Sequence, residues 1–163
     1  MSRISLFKKE EITAFDSPPV LTEKERKVIF TISETDNRKI YFRKKTSKVG
    51  FVLQLGHFKA HKKFFTPEQY LVADVEYVSK LVGTRRTLDL TSENYTSYLK
   101  HRPIILDILG YRPFKTFEPI FSKEADALVR TALRPKDIFH SLLDFLEERH
   151  IKGRHSKFIN AFF

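Results

Sequence analysis

The stretch KVGFVLQLGHF, residues 48–58, decides the fold of this 163-residue chain. Its apolar side chains fall on every side of a helix, and a helix that is apolar all round belongs in the middle of a core. Thr46 or Ser47, just before this stretch, can cap its first turn. We therefore expect a central buried helix around which the other elements pack.

Capping signals predict further helices on both sides of this stretch. Thr22–Glu25 and Ser33–Asp36 each begin with a hydroxyl residue and carry an acid three positions later, the pattern of a capping box. Thr66–Gln69 adds a proline at the first helical position and predicts a helix from Pro67 to Val82. Gly83 then stands where many helices end on a glycine in the left-handed conformation.

The next segment predicts two short helices and an extended connection. Thr91 can cap a short helix that runs through Leu99. Pro103 interrupts a continuous helix, so we expect the next one to run from Ile104 to Leu109 and to end at Gly110. Residues 112–114, which contain a proline, should then be extended, because a residue that precedes proline avoids the helical region.

The last third of the chain predicts two longer helices, opened by Ser122 and by Pro135. The residues expected to face inward are Ala125, Leu128, Val129, Ala132 and Leu133 in the first helix, and Ile138, Leu142, Phe145 and Leu146 in the second.

Together these signals predict an all-α fold, a multi-helix bundle with helix-turn-helix-like elements that can divide into two small helical subdomains. We place an N-terminal arm at residues 1–19, a basic helical DNA-binding subdomain at 20–111, and a second helical subdomain with the C-terminal tail at 112–163. The sparse glycine and proline content, 5 and 7 residues, fits helices with short connections.

Composition excludes several classes of protein. Apolar residues make up 41% of the chain, which is enough to build a core. There is no cysteine, so disulfides and cysteine-based zinc sites are excluded. The sequence MSRISLFKKEE at the N-terminus lacks the apolar core of a signal peptide. No apolar run approaches the roughly 18 residues that a membrane span needs.

Positive charge is concentrated in one segment. The net charge is +10, and residues 37–67 contain no Asp or Glu. Nine of the 30 basic residues lie there, which leaves 21 basic against 20 acidic residues in the rest of the chain. Ordinary solvent-exposed faces mix the two signs. The segment therefore indicates a phosphate backbone as the partner, with a merely solubilising face as the alternative.

The candidate DNA-contacting residues are most of the basic side chains of this segment and those of three later sites. The helix from Pro67 to Val82 is a poor candidate for groove recognition, because its acids would repel phosphates. Lys100 to Arg102 lie at a predicted helix start, a position that suits phosphate and base-edge contacts. The full set is Arg38, Lys39, Arg43, Lys44, Lys45, Lys48, His61, Lys62, Lys63, Arg85, Arg86, Lys100, His101, Arg102 and Arg112.

Signals for catalysis are weak. The glycines are scattered rather than gathered in a phosphate-binding loop. His57 and His61 are spaced like metal ligands on a helix, but no HExxH pattern surrounds them, and we expect them to face solvent or phosphate. We predict no catalytic residue, no metal, no cofactor and no small-molecule ligand. The aromatic residues at 64, 65, 70 and 77 could stack on single-stranded nucleic acid, but their spacing favours core packing, with Phe64 and Phe65 packed onto Tyr70 or Leu71.

Four segments in order resemble the N-terminal domain of Tn3-family replicative transposases. They are Leu21–Glu23, the run Lys48–Leu55, His101 with the later Leu109–Phe114, and Leu143 through the acidic-Arg-basic-Ile helix end at Ile151. The resemblance covers roughly residues 20–151. Two features depart from the family pattern: the segment before His101 lacks arginines, and Pro103 interrupts it.

The resemblance implies a helical region that binds the terminal inverted repeats at transposon ends. In that family, strand cleavage and joining belong to an RNase H-like domain with an acidic triad, and we expect this chain to contain no such domain and to catalyse nothing alone. The expected partners are double-stranded DNA and the remainder of the transposase, with no membrane, in the bacterial cytoplasm at the nucleoid. By the same resemblance, the basic residues before Lys48, the helix Lys48–Leu55, His101 and Arg112 are the positions of interest.

Two other functions fit parts of the sequence. The aromatic excess and the apolar C-terminal tail favour a protein-interaction or assembly module of a transposase, in which the basic charge is incidental. A basic amphipathic helix on a membrane surface ranks last, because the charges are spread over several helices and a loop. The target DNA, the oligomeric state, the base-reading helix and the completeness of the chain stay open.

Overall fold

The structure is a computed structural model that describes residues 7–34, 42, 44–86, 88–131 and 133–152. It is all-α, as the sequence predicts. Its α-helices, within these ranges, are α1 (Lys9–Asp16), α2 (Glu23–Ile29), α3 (Lys45–His61), α4 (Val72–Leu81), α5 (Tyr98–Ile108), α6 (Glu118–Val129) and α7 (Pro135–Glu148). Two 3₁₀ turns lie at Pro67–Gln69 and Phe114–Thr116, and two short strands are β1 (Arg112–Pro113) and β2 (Ile151–Lys152).

The chain forms two units, of which the first is Glu10–Ile105. Its central element is α3, in which every residue from Val49 to Phe58 is buried, so the expectation of a central buried helix is confirmed. Side chains from the segments before and after α3 complete the core around it. They include Leu21, Phe30, Phe65, Tyr70, Val75, Val78, Leu90 and Tyr95.

Two glycines let aromatic rings approach the backbone of α3. A Cβ at Gly50 would lie 2.8 Å from Cζ of the buried Tyr95 ring and closer still to two other ring carbons. A Cβ at Gly56 would lie 2.6 Å from Cδ1 of Phe30 and 2.9 Å from the carbonyl oxygen of Ile29. All of these distances are shorter than van der Waals contact. A larger residue at either position would therefore require the neighbouring atoms to move.

The second unit consists of Met1–Lys9 and Leu106–Phe163, as far as these segments are described. Helices α6 and α7 pack together through a core of Phe121, Ala125, Ile138, Leu142, Phe145, Leu146 and Ile151. The strands β1 and β2 pair in parallel, with Arg112 opposite Ile151. This pair was not predicted, because two residues carry no readable alternation, although the extended backbone at 112–113 was.

Several predicted helix ends are confirmed. Thr22 and Glu25 form the expected capping box, with Glu25 Oε2 accepting from the Thr22 N–H at 2.7 Å. Gly83 and Gly110 both have positive φ, 77° and 74°, and each follows a helix end. Helix α7 begins at Pro135 and buries the four residues predicted to face inward. The box predicted at Ser33–Asp36 lies partly outside the described residues.

Other boundaries differ from the predictions. Lys44 takes the N-cap position of α3 with no side-chain bond, so neither Thr46 nor Ser47 caps that helix. The Thr66 box is present but opens only the 3₁₀ turn, because Tyr70 is extended and its ring is buried beside Phe65; α4 starts at Val72.

The remaining differences in helix bounds concern α5, the segment at Thr91 and the start of α6. Helix α5 continues through Pro103, and the predicted break there is wrong. Pro103 removes only the bond to the Leu99 carbonyl, and both residues are exposed, so water can satisfy that oxygen. The segment opened by Thr91 is a turn rather than a helix. Helix α6 starts at Glu118 with Pro119 in its first turn, not at Ser122.

The inward face of α6 also differs from the prediction. Phe121 and Ala125 are buried and Leu128 is half-buried, so these three residues form the inward face. Val129 and Leu133, which were expected to face inward, are exposed, and Ala132 lies outside the described residues. Residues 121, 125 and 128 repeat at helical spacing on one face, Val129 is the last residue of the helix, and Leu133 lies beyond its end.

Candidate nucleic-acid interface

Basic residues surround the first N–H groups of α3 at its amino end. The first N–H groups of a helix have no intrahelical acceptor, and the helix dipole makes this end positive. Lys44 and Lys45 are exposed here, and Lys48 is half-buried one turn further on. The first turn contains no acid and Lys44 contributes no side-chain cap. This end therefore favours the approach of an anion such as a phosphate.

A loop after α4 adds two arginines to the same region. Lys45 Nζ donates a hydrogen bond to the carbonyl oxygen of Gly83 at 2.9 Å, which brings the loop to the amino end of α3. Arg85 and Arg86, two and three residues beyond Gly83, are exposed. Thr84 Oγ1 lies 2.9 Å from the Ser79 carbonyl and 3.0 Å from the Arg86 carbonyl, which fixes the path of the loop.

We call this set of residues the amino-end basic surface: Lys44, Lys45, Lys48, Arg85 and Arg86. Sequence alone left the two groups about 40 residues apart, and nothing in their spacing indicated that they meet. The contact between Lys45 and Gly83 joins them. The result is five basic side chains from two segments on one part of the first unit.

The carboxyl end of α3 carries a second basic group, the carboxyl-end basic cluster: His61, Lys62 and Lys63. It lies about 24 Å from the amino end, from the 1.5 Å rise per residue over α3. Lys62 ends the helix in the left-handed conformation with φ 58°. Lys63 is half-buried: its Nζ donates to the carbonyl oxygen of Phe15 and lies over the ring of that residue. Burial lowers the pKa of Lys63 to about 8, although the charge of Asp16 opposes this shift.

The motif glutamine of α3 belongs to a buried polar network. Gln54 Nε2 donates to the hydroxyl of Tyr95 at 2.7 Å and to the carbonyl of Tyr98 at 3.1 Å. The Tyr95 hydroxyl lies 2.6 Å from Nδ1 of His101, which is buried. Burial lowers the pKa of His101 and raises that of Tyr95. These contacts give Gln54 and His101 a role in holding α3 against α5, away from the surface.

The other predicted contacts near α5 have different surroundings. Lys100 is exposed. Arg102 is half-buried and hydrogen-bonded within the protein: its Nε donates to Gln54 Oε1 at 3.4 Å and its Nη2 to the carbonyl of Phe65 at 3.2 Å. Arg112 belongs to the second unit, where it is exposed and lies over the ring of Phe117. Arg112 is therefore described with the second unit and is not counted among the residues of the first. Arg38, Lys39 and Arg43 lie outside the described residues.

A buried charged group crosses α2, α3 and α4. Arg26 Nε contacts Asp74 Oδ1 at 2.6 Å, and His57 Nε2 lies 3.6 Å from Asp74 Oδ2. Both His57 and Asp74 are fully buried, so the expectation that His57 faces solvent is wrong. Burial opposes ionisation of Asp74, but His57 and Arg26 outweigh it and lower its pKa. Its position beside Val75 and Val78 on the apolar face was the sequence signal for its burial.

The aromatic residues near α3 pack in the core, as predicted. Phe65 and Tyr70 are buried with ring centroids 6.2 Å apart, and the half-buried Phe64 stacks on Phe58 at 4.5 Å. Tyr77 packs against the same core. No helix in the described part of the chain is long and apolar enough to span a membrane. The same residues contain no group of three or more His, Asp or Glu side chains that could hold a metal ion.

The fold and the surface define an all-α domain with a buried central helix and an exposed basic surface at that helix's amino end. Comparison with family models matches residues 6–152 to "Domain of unknown function (DUF4158)", and the chain belongs to this family. No curated protein and no solved structure matches the chain significantly.

Proposed function

We propose that the chain binds double-stranded DNA through the amino-end basic surface. In this proposal it is the DNA-binding region of a Tn3-family transposase and recognises the terminal inverted repeats of the element. The family supports the wider setting, because DUF4158 is known from transposase-associated proteins. Strand cleavage is assigned to another part of the transposase, and this chain supplies binding only.

The observation that carries the proposal is the hydrogen bond from Lys45 to the Gly83 carbonyl. It brings two exposed basic segments together beside the first N–H groups of α3. Lysine and arginine side chains and helix N-termini are the groups that contact DNA phosphates most often. Such contacts fix a protein on the duplex, and each one displaces counterions, so the proposal requires strong salt dependence.

The recognition test is a binding measurement on the purified chain. Duplexes carrying the inverted repeat that flanks its own element are compared with shuffled duplexes at two salt concentrations. A preference of about tenfold or more that survives the higher salt supports readout of bases or DNA shape. Equal binding to both duplexes that collapses with salt leaves a basic surface without specificity and contradicts recognition of the repeats.

A second candidate is an assembly module of a transposase. Its support is the exposure of Val129 (67%) and Leu133 (45%) near the end of α6, where apolar side chains could meet another protein. This candidate predicts a mass that rises with protein concentration and no duplex affinity at either salt. Sedimentation with and without duplex separates it from the first proposal.

A further inference from the structure

Helix α1 rests on the carboxyl end of α3 through polar contacts at its own last turn. The carbonyl oxygen of Phe15 accepts a hydrogen bond from Lys63 Nζ, and that of Asp16 accepts one from Gln69 Nε2 at 3.0 Å. None of the eight residues of α1 is buried. The helix is therefore attached to the first unit at its surface and contributes no fully buried side chain to the core.

The groups that α1 offers to Lys63 resemble those of a phosphate. The last carbonyl oxygens of a helix carry partial negative charge, because they lie at the negative end of the helix dipole. Asp16 adds a carboxylate whose charge acts on Lys63, and the ring of Phe15 faces the ammonium group. A cation thus meets oxygen acceptors and negative potential supplied by the chain itself.

We propose that the carboxyl-end basic cluster is a second DNA-phosphate-contacting surface and that α1 covers it as an intramolecular competitor. Release of α1 frees Lys63 to contact the backbone of a duplex that is already held by the amino-end basic surface. The inference rests on the proposed function, since it concerns the same ligand.

Energetics favour such an exchange once DNA is present. A helix of eight residues is marginal in water by itself, and none of the eight residues of α1 is buried. A phosphate oxygen carries a fuller negative charge than a carbonyl oxygen, so at the same distance it attracts the Lys63 ammonium group more strongly. The two ends of α3 are about 24 Å apart, and one turn of B-DNA is about 34 Å long. A single turn of duplex is therefore long enough to reach both ends.

The test uses the full chain with Thr13→Pro. Thr13 is exposed in the interior of α1, where proline breaks a helix. Thr13→Ala, which keeps the helix, is the matched control. Duplex affinity is measured over a range of salt for the wild type, for both variants, and for Thr13→Pro combined with Lys63→Gln.

The expected result is tighter binding by Thr13→Pro, about threefold to tenfold at low salt, with a salt slope steeper by about 0.9 for one added phosphate contact. Lys63→Gln in the same chain abolishes this gain, and Thr13→Ala shows none. Hydrogen exchange of residues 9–16 in the wild type becomes faster when the duplex is saturating. If Thr13→Pro disturbs the fold, the exchange measurement on the wild type decides.

Three outcomes overturn the inference in distinguishable ways. Unchanged affinity and slope in Thr13→Pro, with the wild type still binding through Lys44, contradicts competition by α1 and leaves the proposed function intact. Unchanged or slower exchange of residues 9–16 on adding duplex contradicts release of α1. No duplex binding by the wild type removes both the proposed function and this inference.

Discussion

The two ends of α3 are both rich in lysine, yet the structure gives them different surroundings. At the amino end, Lys44 and Lys45 are exposed next to the arginines of the loop at 85–86, and the first turn contains no acid. At the carboxyl end, Lys63 is half-buried and bonded to α1. In the sequence both ends belong to one basic segment, so the same role was predicted for both. Packing gives their lysines different exposure and different contacts.

The difference teaches that a run of basic residues is not a surface by itself. Long basic side chains also cover neighbouring elements and satisfy their carbonyl groups. Lys63 and Arg102 do this, because each donates to a backbone carbonyl of another segment. The amino end adds two exposed arginines to its lysines because the loop at Gly83 docks on it, not because its own sequence is richer in lysine.

The largest expected effect concerns the buried charges beside the carboxyl half of α3. Asp74→Ala leaves Arg26 without its buried partner, and we expect a loss of about 3 kcal/mol in the free energy of unfolding. Glu76→Ala, an exposed position on the same helix, is the control and should change stability by less than about 0.5 kcal/mol. Urea denaturation measures both. Equal effects would show that the Arg26–Asp74 pair does not stabilise this half.

The same carboxylate gives a pH dependence with a defined sign. The folded-state pKa of Asp74 lies below its ordinary value of about 3.8. Its ionisation therefore stabilises the fold above that value, and this contribution is lost as the pH falls through the lower folded-state pKa. Acid unfolding of the wild type should be steeper than that of Asp74→Ala below about pH 4. Parallel acid transitions would contradict the assignment.

The next largest effect concerns the close packing of Tyr95 on Gly50 in the buried part of α3, between its two basic ends. In Gly50→Ala the new methyl overlaps the fixed ring of Tyr95, and we expect a net loss of about 2 kcal/mol despite the better helix propensity of alanine. Ala60→Gly, an exposed site in the same helix, should cost only about 1 kcal/mol. Thermal unfolding measures both. A stabilised Gly50→Ala would mean that the ring does not approach the backbone so closely.

A smaller effect tests the network that ties α3 to α5. Tyr95→Phe removes the hydroxyl that accepts from Gln54 and lies next to His101. The Nε2 group of Gln54 then keeps only the carbonyl of Tyr98 as its acceptor, so we expect a loss of about 1.5 kcal/mol. Tyr77→Phe, at a half-buried position on α4, is the control. A loss no greater than in the control would show that these contacts do not stabilise the fold.

Sequence reasoning predicted the all-α class and the central helix, because strong apolar patterns and capping residues act locally. It failed where tertiary packing overrides the local signal. Tyr70 leaves the helix that Thr66 opens, and Pro103 stays inside α5 because its lost bond faces solvent. The candidate surface depended on a contact between Lys45 and Gly83, 38 residues apart, which no local pattern encodes. The burial of His101 was hidden for the same reason.

The most direct test compares charge reversal on two surfaces of the first unit. Lys44→Glu with Arg86→Glu changes the amino-end basic surface, and Lys24→Glu with Lys27→Glu makes the same change in charge on the exposed face of α2. Duplex affinity is measured over a range of salt. We predict that the first pair weakens binding about tenfold and lowers the salt slope by about 1.8, while the second pair changes the slope little. Equal losses from both pairs would show that net charge, and not the amino-end basic surface, holds the DNA.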